Sequence, residues 1–153
     1  HGRFPYLSYP RRYSSHDREV AIKAMEIVGV AEFAHKPLYS LSGGMRQNAY
    51  VAMALAQDTD YILLDEPTTY LDIAHQLELM RILRKLADSG KGIVTVMHNL
   101  PIAFDFSDKL TVMSNGKIIA YGTPSEICES HIVEDIFGVE IKQVQKGKYL
   151  YEY

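Results

Sequence analysis

An α/β fold with parallel strands is the class that this 153-residue sequence predicts. Three observations carry it. Two short apolar runs, residues 61–64 and 92–97, have the length and continuity of strands buried on both faces. A helix-period segment, residues 73–88, lies between them, and a second helix start at Asn99 and Pro101 follows, giving strand–helix–strand–helix order. Asn115-Gly116 then sits between two further apolar stretches, the mark of a type I′ hairpin that ends the chain in a mixed β region.

Composition narrows the function. Hydrophobic residues make up 47% and charged residues 23%, enough apolar material for a real core. The formal net charge of −3 argues against a basic stripe, so nucleic acid is not an expected partner. No apolar run is long enough to span a bilayer. The single cysteine, Cys128, excludes an intramolecular disulfide and a Cys-built zinc site, and fits a reducing compartment. The start, His1-Gly2-Arg3-Phe4-Pro5, has no initiator Met and no signal-peptide pattern, which reads as a processed or excised piece.

Each element follows from local chemistry. Residues 1–14 have no period and read as extended or loop chain; Pro5, Tyr6, Tyr9 and Pro10 form an aromatic strip suited to a partner surface, with a solvated leader as the alternative. Ser15 is placed to cap a helix carrying Asp17 and Glu19 in its first turn and Val20, Ala24, Ile27 and Val28 at helical spacing. Gly29 ends it. Residues 30–41 are an irregular connection. Residues 45–57 contain neither Gly nor Pro and form a good helix, opened by Leu41-Ser42-Gly43-Gly44. Asp72 caps the 73–88 helix, whose apolar positions are Leu77, Met80, Leu83, Leu86 and Ala87. Thr123-Pro124-Ser125-Glu126 is a capping box, and the acidic region Glu126–Asp135 reads as a solvated helix face. Residues 140–153 are expected to form strands around Lys146-Gly147-Lys148, with 149–153 as an edge.

Four features carry chemistry. Ser42, Gly43 and Gly44 at a helix start make a phosphate cradle, because the unpaired first-turn N–H groups and the helix dipole favour an anion. A loop that merely caps the helix explains the same residues equally well. Asp65 and Glu66 stand at the C-terminal end of a parallel strand, where open α/β sheets bind ligands. There one acid can hold Mg²⁺ through water and the next can polarise a water nucleophile; solvated loop acids are the plain alternative. His98 ends the next strand and reaches the same rim. Asp72, after Pro67-Thr68-Thr69-Tyr70-Leu71, is fully explained as a cap, and any functional role is additional.

In that order, the features resemble the ATP-binding subunit of ABC transporters over roughly residues 1–140. Residues 41–47 resemble the signature motif, residues 61–66 Walker B with its catalytic Glu, Leu71-Asp72 the D-loop and His98 the H-loop. The resemblance implies a partial P-loop NTPase core with parallel strands. It has part of the helical signature subdomain in residues 1–57 and the C-terminal part of a RecA-like core in 58–153. It implies ATP and Mg²⁺ as cofactors, with Asp65 positioning the metal, Glu66 as general base, and His98 on the γ-phosphate and the water. Ser42, Gly43, Gly44 and Gln47 would bind ATP held by the opposite subunit of a homodimer, and Asp72 would signal across that interface. Permease subunits in the membrane, and a place on the cytoplasmic face of the membrane, are implied with it.

Two departures stand out: Met45 where Gln is usual, and Asn48 where Arg is common. Met cannot make the amide's hydrogen bonds, so one cross-dimer contact is in question. The phosphate-binding loop, G-x-x-x-x-G-K-[ST], does not occur in these residues, nor does the glutamine loop. Gly2-Arg3-Phe4-Pro5 and Arg11-Arg12-Tyr13-Ser14 look most like importers of iron chelates and vitamin B12. The expectation is therefore the C-terminal part of such a subunit, unable to bind ATP alone, with an open sheet edge that invites self-association. A soluble ATPase of the same superfamily, acting in translation or DNA repair, and a non-catalytic module of the same fold are the alternatives. Residues 15–40 lack the sustained heptads of a repair-type coiled coil.

Overall fold

The computed structural model describes residues 1–7, 9–69, 71–145 and 148–152, in two compact units, His1–Val96 and Met97–Tyr153.

The first unit begins with α1 (Ser15–Ile27) and α2 (Gly43–Leu55), joined by two short 3₁₀ turns. Ser14, not Ser15, caps α1: its hydroxyl accepts from the Asp17 N–H, and the Asp17 carboxylate accepts from the Ser14 N–H at 3.0 Å. Two adjacent serines leave the choice to the residue three positions on. Counting from Ser14 puts an acid there, which closes the reciprocal pair; counting from Ser15 puts Arg18 there. The helix buries Ala24, with Val28 enclosed just beyond it, while Ile27 is exposed and drops out of the expected apolar face. Gly29 has φ of +72°, the left-handed value that a helix-ending glycine supplies.

The N-terminal segment is docked on these helices. Gly2 lies so close to the Met53 carbonyl and Ala56 that a side chain would collide with backbone. Arg3 donates to the Asp17 carboxylate at 3.1 Å and to the Ala56 carbonyl at 3.3 Å, and its guanidinium covers the Tyr6 ring. The anchored part is thus no solvated leader, although Tyr9 is fully exposed. The Ser14 hydroxyl and N–H and the Arg3 guanidinium lower the Asp17 pKa from its ordinary 3.8 to about 2. A carboxylate stabilised this way contributes stability that is complete above its unfolded value and is lost as pH falls from about 4 through 2. Acid titration followed by circular dichroism should therefore show Asp17→Asn to be less stable than wild type at neutral pH. The gap should close as pH falls toward 2; a gap that persists there would contradict the assignment.

After α2 come β1 (Tyr61–Asp65), α3 (Ile73–Asp88) and β2 (Gly92–Val96). The two strands pair in parallel, Ile62 against Ile93 and Leu63 against Val94, as a βαβ unit requires. The expectation that both strands are buried is corrected. Ile62 is 4% exposed and faces the core, but Tyr61 and Leu63 are 68% and 75% exposed, and Val94 and Val96 are more than half exposed. Alternate residues point to opposite sheet faces, and within this unit one face alone is covered. α3 buries Leu79, Met80, Leu83 and Leu86. Leu79 is nearly inaccessible although the sequence pattern passed over it, whereas Leu77 is only half-buried.

The second unit contains α4 (Leu100–Phe106), capped by the Asn99 side chain, and the antiparallel pair β3 (Leu110–Ser114) and β4 (Lys117–Gly122). Asn115 and Gly116 both have positive φ, 50° and 73°, as the type I′ turn demands. The acidic stretch forms two helices rather than one: α5 (Pro124–Glu129), opened by the expected Thr123–Glu126 capping box, and α6 (Ile132–Phe137). His131, at φ of 56°, breaks them apart. Glu126, Glu129, Glu134 and Asp135 are exposed, while Ile127, Cys128 and Val133 join Phe104, Val112 and Ile141 in this unit's core. β5 (Glu140–Gln145) and β6 (Lys148–Glu152) form an antiparallel pair, as expected. Lys146, Gly147 and Tyr153, on which part of that expectation falls, lie outside the described residues. Tyr149 meets Phe104 edge to face at 5.1 Å.

Candidate functional site: helix start, strand end and capped turn

The candidate residues in the first unit sit at three backbone termini. Ser42 is the N-cap of α2, its hydroxyl accepting from the Met45 N–H at 3.3 Å. Gly43 and Gly44 are the first two helical residues, so their N–H groups have no acceptor within the helix. Gln47, half-buried, follows one turn later. Ser42 thus accepts at the helix start, and its own hydroxyl proton remains to donate to an anion. Asn48, one of the two departures from the usual pattern, donates from Nδ2 to the Val28 carbonyl at 3.1 Å and so ties α2 to the end of α1.

Asp65 ends β1 opposite Val96, on the exposed sheet face that also carries Leu63 and Val94. Glu66 continues the ladder through its N–H to the Val96 carbonyl at 3.0 Å. Its backbone then turns into the left-handed region, φ 45°, a conformation that a side-chain-bearing residue adopts at a cost on the order of 1–3 kcal/mol. Its Oε2 accepts from the Thr69 hydroxyl at 3.0 Å, which orients the carboxylate. Pro67 and Thr68 beyond it are buried.

Asp72 caps α3 with both carboxylate oxygens on one residue: Oδ1 accepts from the His75 N–H at 2.9 Å, and Oδ2 lies 2.7 Å from His75 Nδ1. These bonds, the backbone one foremost, hold the Asp72 carboxyl below its ordinary pKa. Gln76 donates from Nε2 to the Leu71 carbonyl at 2.9 Å and to the Thr68 carbonyl at 3.3 Å, pinning the loop between Glu66 and Asp72. The sequence gives Thr69 no role of its own and does not single out His75 or Gln76. The available signal was position: the third helical residue after a capping Asp is where a side chain reaches back to the cap.

His98 lies two residues beyond β2, exposed, in the second unit. Within the first unit the fold brings Asp72 to Gly44, through His75, and keeps Asp65 and Glu66 adjacent at the strand end. A single carboxylate at a strand end fits Mg²⁺, which takes one or two carboxylates together with phosphates and water rather than an all-protein cage. The open first turn of α2 fits a phosphate.

The comparisons with known proteins agree with one another. The family model described as ABC transporter matches residues 4–69. The petrobactin import ATP-binding protein FpuD of Bacillus anthracis is 42% identical over 140 residues, 91% of this chain and 51% of its own length. The iron(3+)-hydroxamate import ATP-binding protein FhuC of Bacillus subtilis is 42% identical over 145 residues, 94% of this chain and 54% of its own. Ferric enterobactin transport ATP-binding protein FepC of Escherichia coli is 40% identical, over 90% of this chain and 51% of its own length. The chain therefore spans about half the length of the curated relatives it matches. Among solved structures, an ABC transporter assigned to the metal-chelate type, in an inward-facing conformation, superposes with a TM-score of 0.85 at 28% identity, over 99% of this chain and 61% of that one. The dimeric structure of MJ0796, a bacterial ABC transporter cassette, gives 0.63 at 28% identity, over 74% and 50%.

Proposed function

We propose that this chain is part of the ATP-binding domain of an ABC transporter and supplies the C-terminal part of a subunit coupling ATP hydrolysis to import of an iron chelate. The observation that carries the reading is the pair at the end of β1. Asp65 lies on an open sheet face, and Glu66 is turned out of the strand with its carboxylate held by Thr69. Support for the substrate class comes from the relatives named for petrobactin import, iron(3+)-hydroxamate import and ferric enterobactin transport.

In this reading Asp65 holds Mg²⁺ through water, and Glu66 takes the proton of the attacking water. His98 contacts the γ-phosphate. Ser42, Gly43, Gly44 and Gln47 close over ATP on the opposite subunit, and Asp72 faces the same dimer interface. Residues 1–57 belong to the signature subdomain and 58–153 to the ATPase core, with the complete subunit working against permease subunits on the cytoplasmic face of the membrane. No helix among the described residues is long and apolar enough to cross a bilayer. The test is uptake by vesicles that hold the complete subunit and its permease. ATP-dependent entry of a radio-iron ferric siderophore is expected. Entry of another solute class, with none of the chelate, would overturn the substrate assignment.

The same reading makes the 153-residue chain self-associate when isolated. Among the described residues β1 pairs with β2 alone, and Tyr61, Leu63, Val94 and Val96 stay exposed on the sheet face. An unpaired edge beside an apolar face is a template for another chain. Light scattering should give a mass above the monomer that rises with concentration. A strict monomer at high concentration would refute this.

A further inference from the structure

His75 joins two candidate motifs that lie far apart in the sequence. Gly44 is buried, and a methyl group on its Cα would stand 2.5 Å from His75 Cδ2, 2.9 Å from Cγ and 3.2 Å from Nε2. The imidazole therefore occupies the space that a side chain at Gly44 would need. On its other side, Nδ1 lies 2.7 Å from Asp72 Oδ2. An ionised carboxylate only accepts, so Nδ1 carries the hydrogen and the ring orientation is set by Asp72. The Asp72 carboxylate is in turn bound at both oxygens by this one residue.

We propose that His75 is a positioning residue, whose imidazole holds the Asp72 carboxylate through Nδ1–H and seats the Ser42-Gly43-Gly44 helix start against its ring, so that the two motifs move together. The absence of a Cβ at Gly44 is what lets the ring approach. With Asp72 supplying the orientation, a shift of either turn displaces the imidazole from the other. This rests on the ATPase reading above, in which both turns serve the dimer interface.

The test uses the complete subunit, with steady-state ATP turnover read as kcat and KM separately. His75→Phe keeps a ring against Gly44 but cannot donate to Asp72; kcat should fall about tenfold with KM for ATP changed less than twofold, as expected when geometry rather than binding is lost. His75→Asn places an amide donor near the Nδ1 position and should recover most of that kcat. A double-mutant cycle reads the ring contact. Gly44→Ala in the wild-type background pushes the ring away, so its loss should be smaller when His75 is already Ala, and the two losses should not multiply. The cycle keeps the proposal open to refutation should His75→Phe fail to fold. Wild-type kcat in His75→Phe, or fully multiplicative losses in the cycle, would overturn it. Turnover by the wild-type complete subunit separates the two levels. If it hydrolyses no ATP, the ATPase reading fails. If it hydrolyses ATP and the His75 variants match it, the positioning role alone fails.

Discussion

Replacing Glu66 with Gln in the complete subunit should cut ATP turnover by about a hundredfold or more while leaving ATP binding in place. The substitution conserves size and shape but removes the negative charge and the capacity to take a proton. The Thr69 hydroxyl can still donate to the Gln amide oxygen, as it donates to Glu66 Oε2 at 3.0 Å, so the side chain keeps its orientation. The backbone keeps its N–H to the Val96 carbonyl and its left-handed turn, because neither depends on the carboxylate. With Asp65 unchanged beside it, the metal position is untouched. The expected signature is a collapse of phosphate release with nucleotide binding within a few-fold of wild type. Turnover within tenfold of wild type would remove Glu66 from the role of general base.

The second large effect is a loss of affinity. Titrating Mg·ATP into the isolated 153-residue chain by calorimetry should show binding on the order of a hundredfold weaker than that of the complete subunit, the loss of two or so charge-assisted hydrogen bonds. The lysines that follow a glycine, Lys91, Lys117 and Lys148, lack the second glycine five positions before the first, so none belongs to a phosphate-binding loop. The helix start at Gly43 and Gly44 offers two free N–H groups, and in the proposed reading these serve a nucleotide carried by another subunit. Asp65 alone has little hold on Mg²⁺ without the phosphates that complete its shell. Low-micromolar binding by the isolated chain would contradict this account.

Much of the fold is local and was legible. The helix over residues 45–57 needed only good helix formers after a cap, and the hairpin needed only Asn115-Gly116, whose two positive φ angles are cheap for those residues. The capping box at Thr123 and Glu126 likewise lies within a single turn. The errors arose where a neighbour decided. Ser14 outcompeted Ser15 because Asp17 could close the pair. One expected acidic helix became two at His131. The N-terminal segment, patternless as sequence, is held by Arg3 reaching Asp17 and Ala56.

Motif order, the class of each element and the termini where Ser42, Asp65, Glu66 and Asp72 stand are local properties, because caps, turns and strand ends are set within a few residues. Tertiary structure decided the rest. It covered Ile62 while leaving Leu63 open, selected Leu79 over Leu77, gave Asn48 the Val28 carbonyl, and set His75 between Asp72 and Gly44. The physical reason is common to all four. Burial and side-chain orientation depend on which surfaces meet, and periodicity shows that a residue faces something without showing what it faces.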